Sequence, residues 1–533
     1  MTGDMTARAQ NWALALTARA SVTGSAEEAA FGPWLADRLR AAGTFGAADI
    51  WTIPVAEGDA RHCVAMLLRG SGANTVILTG HYDTVTFDDY GDLAPFALTP
   101  AVLNEALLRK LAAVTRPAER LARADLESGA FLPGRGLLDM KAGLAAGLAV
   151  AEEFASRPEA LGNLLFLAVP DEEATSVGAR SAAAALKGIA AARGLKIVAA
   201  INLDAIADTG DGSAGRAIAL GTVGKVLPTA FVAGVPTHSG FPYNGVNAAV
   251  LLAAICARIE WAPELTDDTA GQPGTPPSLL SMKDGKSGYD VTTPAAGFAA
   301  WSVLFHRRSP EEILVAFEGL CRAAVQDCMA NLESRARRHR LPGDADLPGV
   351  GLYRYATVLT AARQRGDIDG KLAALSAALA QTTLSLPERC GRATALVWQE
   401  SGLQAPAVVA GFGSIPYLAT HLSGSPAGLR LEQAVRDVAC EASVAVTEYF
   451  AGISDMSFFG EAAEAILGIV AANTPLWGSA IRWPADGALA QVPTVNIGPW
   501  GRDYHTPLER LHVGYAFEVL PGVIKAVVER VLR

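Results

Sequence analysis

From about residue 27 to residue 204, short apolar runs alternate with stretches of helical spacing. Residues 27–42 read as a helix and 50–55 and 62–69 as extended segments, while 75–78 form a buried run that leads straight into His81 and Asp83. A second buried run, 164–169, leads into Glu172 and Glu173, and a third, 197–201, into Asp204. The segment 140–154 is Ala-rich and small on one side, which predicts a helix packed tightly on a sheet with Asp139 at its start. Strands and helices in this alternation predict an α/β fold: a three-layer αβα domain around a mixed, mostly parallel sheet. In such a sheet the polar residues that end the buried strands converge on one edge, where sites are built.

Between Asp83 and Asp139 lie 55 residues with helical patterns near 101–114 and 118–126, a long excursion for a strand-to-helix connection. After Asp204 the pattern changes. Residues 216–221, 229–234 and 298–307 look extended and 246–261 and 311–337 look helical, which makes a compact α+β module inserted into the first domain. Within it, 263–294 is rich in Pro, Gly, Asp, Thr and Ser and reads as a long mobile loop. From about 341 a mainly helical stretch leads to extended pieces at 407–411 and 493–497, then to His505 and a C-terminal helix. The expected division is a first domain made of 1–212 and 341–533, with a helical extension near 350–440, and an inserted domain at 213–340.

A chain of 533 residues, half of them apolar, is long enough for two large cores. Its 44 basic and 54 acidic residues give a net charge of −10, with no Lys/Arg block to bind nucleic acid or an anionic membrane. Small partners are expected. The six cysteines lack zinc-finger or disulfide spacing, which suits a reducing compartment. The first residues lack the features of a signal peptide, and no stretch reaches the ~18 apolar residues of a membrane span, so the cytoplasm is the expected location.

The chemistry lies in six residues in one order: His81, Asp139, Glu172, Glu173, Asp204 and His505. Any one of them alone would be an ordinary cap or surface group. Together, placed after buried strands, they read as a metal site. Two divalent ions ~3.5–4 Å apart can share a hydroxide, polarise a carbonyl and stabilise an oxyanion. A natural partition has Asp139 bridging, His81 and Asp204 on one ion, and Glu173 and His505 on the other. Adjacent side chains diverge, so Glu172 is left free as a general base. Asp83 is suited to accept the second imidazole N–H of His81. Nitrogen and oxygen ligands without cysteine favour zinc, with cobalt or manganese as substitutes.

His-x-Asp at 81–83, Gly-x-x-Asp-Met-Lys-x-Gly at 136–143, Glu172-Glu173 and the late His505 resemble the zinc metallopeptidase and deacylase family that includes acetylornithine deacetylase, succinyl-diaminopimelate desuccinylase, aminoacylase and carboxypeptidase G. The resemblance implies hydrolysis of an amide on an amino-acid-like substrate, two zinc ions, and an inserted lid through which members dimerise. The segment 236–248 is similar to the lid signature, which gives His238 the role of oxyanion donor, and Arg308 corresponds to the lid arginine that grips a substrate carboxylate. Segments 449–457 and 495–505 resemble the arginine-utilisation (RocB-like) branch, which implies N-deacylation in arginine or ornithine metabolism. Asn247, Ser454 and Asp455, inside these matching segments, are further candidates for substrate binding. A dipeptidase or carboxypeptidase, an esterase, and a binding protein that lost turnover are the competing readings.

Overall fold

The computed structural model describes all residues except 1, 47, 56–58, 158, 209, 269–272, 340–347, 423, 463–465 and 484–489, and of residues 2–4 the backbone only. The chain divides into two units, Met1–Thr222 with Thr420–Ala462 and Pro484–Arg533, and Val223–Ala419 with Ala463–Trp483. Among the described residues no helix is long and apolar enough to cross a membrane.

The apolar runs of the first unit lie side by side in an eight-stranded sheet. Its order is Asp49–Pro54, His62–Arg69, Leu161–Val169, Ser71–His81, Lys196–Asn202, Thr494–Asn496, Ala217–Ala219 and Ala445–Thr447. The four strands from Leu161–Val169 to Thr494–Asn496 are parallel, and the first two strands run antiparallel. Alternate side chains serve opposite faces. Val64, Met66, Leu68, Val76, Leu78, Leu164 and Phe166 pack with the helices Thr2–Thr17, Ala142–Ala155 and Leu520–Leu532. Cys63, Ala65, Leu67, Ile77, Leu165 and Leu167 are buried on the other face, where the Cys63 thiol donates to the carbonyl of Gly178 in the helix Val177–Arg193. This is the expected three-layer α/β arrangement.

Register decides where the polar strand ends come out. His81 pairs with Val169, Thr79 with Asn202, and Asn202 with Asn496. The parallel strands therefore end level, and the residues just beyond them, Glu172, Glu173 and Asp204, emerge beside His81. A small four-stranded sheet, Phe131–Pro133, Arg510–His512, Trp500–Arg502 and Ile206–Ala207, carries the loop that contains His505.

The second unit has its own sheet, in the order Ser278–Asp284, Ala296–Phe305, Pro228–Ala233, Ala407–Phe412 and Gly351–Arg354, with Gly224–Val226 also on Ala296–Phe305. Ala230, Val232, Trp301, Val408 and Ala410 face the helices Ala248–Ile259 and Pro310–His339. Phe231, Ala233 and Val409 face the helices Tyr355–Arg363, Ile368–Leu379 and Leu386–Ser401. Here the structure corrects the expected division. Residues 351–419 do not extend the first domain: they add two strands and an outer helical layer to the inserted unit. The reason is that Ala407–Phe412 is buried on both faces and needs a cover on each. Only the helix Pro426–Ala442 of the expected extension lies in the first unit. The expected loop at 263–294 contains the strand Ser278–Asp284, whose exposed positions hide its periodicity; residues 269–272 of it fall outside the described residues.

The helix Ala142–Ala155 approaches the sheet so closely that a Cβ on Gly143 would lie 2.0 Å from the Leu203 carbonyl oxygen, next to Asp204. Gly188, in the helix Val177–Arg193, has open space around it. Gly143→Ala should therefore lower the urea midpoint and reduce bound metal together. Gly188→Ala should leave metal content unchanged and stabilise by about 0.5–1 kcal/mol, since alanine is the better helix residue. Equal effects of the two substitutions would contradict the close approach.

Candidate metal centre

His81 is buried at the end of its strand, with Nε2 3.2 Å from Asp139 Oδ1, 3.8 Å from Asp204 Oδ1 and 3.9 Å from Glu172 Oε2. Asp139 lies in the turn between Gly136, which has φ 69°, and the helix Ala142–Ala155. Its second oxygen is 3.2 Å from His505 Nε2, which is 3.0 Å from Glu173 Oε1. Two groups thus have the geometry to hold a metal ion: His81, Asp139 and Asp204, and Asp139, Glu173 and His505. Within each group the ligand atoms lie within 4.8 Å of one another, and Asp139 belongs to both. Among the described residues, the ion pairs of Asp139, Glu172, Glu173 and Asp204 are all with these two imidazoles and none with Lys or Arg. Buried carboxylates without such partners are the setting in which proteins hold cations.

Charge crowding shows in the protonation of each group. Burial alone would depress His81, but Asp139, Asp204, Asp83 and Glu172 outweigh it and hold the imidazole proton well above the ordinary range. His505 is pushed up to about 10 in the same way, against burial, by Asp139 and Glu173. Asp139 stays well below the usual carboxylate range: burial opposes this, and the His505 and His81 hydrogen bonds override it. Burial drives Glu172 well above the carboxylate range; His81 works against the shift, and Asp204, Asp455 and Glu173 add to it.

Asp83 departs from expectation. The nearest acceptor to His81 Nδ1 is the Asp83 backbone carbonyl at 3.1 Å, while the carboxylate is 3.6 Å away. That carboxylate accepts the backbone N–H of Glu172 and of Glu173, at 3.1 and 3.2 Å, and the Thr23 hydroxyl at 2.9 Å. It fixes the turn that carries both glutamates. Asp204 is framed by Asn496, whose side chain accepts from its N–H at 3.1 Å and donates to its carbonyl at 2.9 Å. Asn202 donates to Asn496 and to Ser454, both at 2.9 Å. Glu509 accepts from Gly136 N–H at 2.9 Å and from Arg135 at 2.6 Å, and so pins the Asp139 turn. Asn202, Asn496 and Glu509 escaped the sequence reading. The signal for the first two was an asparagine ending an apolar run.

Ser454 and Asp455 are buried and present no surface to a substrate; Ser454 instead accepts from Asn202, and burial pushes Asp455 up to about 7. His238, Asn247 and Arg308 belong to the second unit. His238 is exposed, and its Nδ1 accepts from Gly240 N–H at 3.0 Å. Asn247 caps the helix Ala248–Ile259, accepting from Ala249 N–H at 3.0 Å. The Arg308 guanidinium donates to the Glu264 carbonyl.

An α/β sheet whose edge gathers two histidines and three acids into two ligand groups, with Glu172 beside them and a second unit inserted, defines a metal-dependent hydrolase. Peptidase family M20/M25/M40 matches residues 117–480, and the chain belongs to that family. It is 29% identical to YqjN of Bacillus subtilis over 524 residues, 96% of this chain and 94% of that one. It is also 29% identical to RocB of Bacillus subtilis over 472 residues, covering 86% and 82% of the two chains. With succinyl-diaminopimelate desuccinylase of Xanthomonas campestris it shares 30% over 286 residues, 50% of this chain and 60% of that one. A tripeptidase structure from Staphylococcus aureus superposes with TM-score 0.55 at 16% identity, over 99% of each chain, and shows the shared fold.

The surrounding carboxylates favour the protonated form of both imidazoles in the metal-free protein, and a ligating imidazole must lose its proton. Zn2+ titrated into metal-free protein in weak buffer should release about two protons or more per chain. Affinity should keep rising as pH is raised from 7 towards the His505 value of about 10. Calorimetry in buffers of different ionisation enthalpy measures the release, and zero release would contradict imidazole ligation.

Proposed function

We propose that this chain is a dinuclear zinc amidohydrolase that cleaves the amide of an N-acyl amino acid or a related small substrate, in arginine or ornithine metabolism. The observation that carries the reading is the pair of ligand groups sharing Asp139, with Glu172 beside them and in neither. Support for the substrate class comes from the similarity to RocB over most of the chain and to the desuccinylase over half of it.

The donor set fits two divalent ions. His81 and Asp204 would hold one, Glu173 and His505 the other, with Asp139 between; imidazole and carboxylate without thiolate suit zinc, and also cobalt or manganese. When bound, the ions supply Lewis acidity and a hydrolytic water of lowered pKa. Glu172 receives a proton on its carboxylate and passes it to the departing amine, a role that its place beside His81 and outside both ligand groups serves. Asp83 keeps Glu172 and Glu173 aimed apart by holding their two backbone N–H groups. His238 would donate to the oxyanion: with Nδ1 accepting from Gly240, the neutral ring carries its proton on Nε2. Asn247 and Arg308 remain the proposed substrate contacts, and a homodimer through the second unit is the assembly that goes with this reading.

Glu172→Gln should lower amide turnover by about 10²–10⁴-fold while metal content stays near that of the parent. The assay is amine release by zinc-loaded protein from N-acyl amino acids and dipeptides, weighted towards arginine and ornithine derivatives. Full activity in the variant would remove Glu172 as the base, and release from dipeptides alone would make the chain a dipeptidase.

A further inference from the structure

The 55-residue excursion between Asp83 and Asp139 carries two helices with a core of their own. Its helices Pro100–Lys110 and Pro117–Glu127 share a small core of Leu103, Leu107, Ala122 and Leu126, on which Leu508 of the His505 loop also packs. Asp125, in the last turn of the second helix, reaches the two strands that flank the loop. Its carboxylate is 2.8 and 2.7 Å from Arg502 Nη1, and 2.8 and 2.7 Å from Arg510 Nε and Nη2. Arg502 and Arg510 are paired across the antiparallel strands Trp500–Arg502 and Arg510–His512.

Two like charges at paired positions repel. Among the described residues Asp125 is the only acid ion-paired with Arg502, and the Arg510 side chain is fully buried. Arg510 in turn reaches into the loop, donating to Asp503 Oδ2 at 2.6 Å and to the Leu508 carbonyl at 2.9 Å. The loop requires such restraint, because Asp503 and His505 stand at φ 54° and 62°, in the left-handed region that side chains disfavour. His81 and Asp204 draw on other supports, Asp83 and Asn496.

We propose that Asp125 is a positioning residue for the second ion: from the excursion it clamps Arg502 and Arg510 and so holds His505 in ligating geometry. This rests on the two-ion reading above. Zn2+ titrated by calorimetry into metal-free Asp125→Asn should show the tighter or weaker phase that is lost in His505→Ala weakened by about 10–100-fold. The other phase should stay within about twofold of the parent. Asp125→Glu, which keeps the charge, should retain more of the affected phase than Asp125→Asn. Should Asp125→Asn fail to fold, Arg502→Lys tests the same clamp, because it keeps the charge and loses the forked geometry. Two phases at parental affinity in Asp125→Asn, or both falling in step with thermal stability, would overturn the role of Asp125 and leave the two-ion reading intact. A parent that takes up fewer than two ions would overturn both.

Discussion

Carboxylates held close together repel, and this chain gathers the buried Asp204 and the largely buried Asp139, Glu172 and Glu173 around two imidazoles. Much of the first unit can be understood as the means of keeping them there. Parallel strands that end level bring the acids to one edge. Backbone hydrogen bonds then fix the segments that carry them: Asn496 accepts from the Asp204 N–H, Asp83 accepts from the N–H groups of the two glutamates, and Glu509 accepts from Gly136 N–H in the Asp139 turn. The carboxylates are positioned through backbone and amide contacts, so their own oxygens remain available to cations. A Lys or Arg inserted among them would relieve the repulsion and remove that availability.

The layout of the first unit was legible because burial leaves a plain mark. A strand covered on both faces is apolar throughout, and a polar residue at its end stands out, as with Leu78 before His81 or Ile201 before Asp204. His505 follows no buried strand directly, and the shape of its loop was not legible, since the flanking Arg502 and Arg510 are held by Asp125, 377 and 385 residues away in the chain. The carboxylate of Asp83 was assigned to His81 on proximity in the chain, yet the backbone donors of Glu172 and Glu173, 89 and 90 residues on, claim it. Contacts between elements of that kind carry no local signal.

The boundary of the inserted unit was hidden for a related reason. Helical periodicity in residues 355–401 announces three helices but not the surface they cover, and the strand Ser278–Asp284 lies at an edge where composition resembles that of a loop. The deciding contacts are between strands almost two hundred residues apart, such as Phe231 beside Val409.

That outer helical layer constrains how this sequence could have changed over time. A sheet open to water on one side has polar side chains at every second position, whereas here Phe231, Phe298 and Val409 point into the layer. A relative without residues 351–401 would need hydrophilic side chains at those three positions, and a relative with the layer could not accommodate them. The cover and its apolar footing depend on each other, and either without the other would be a liability.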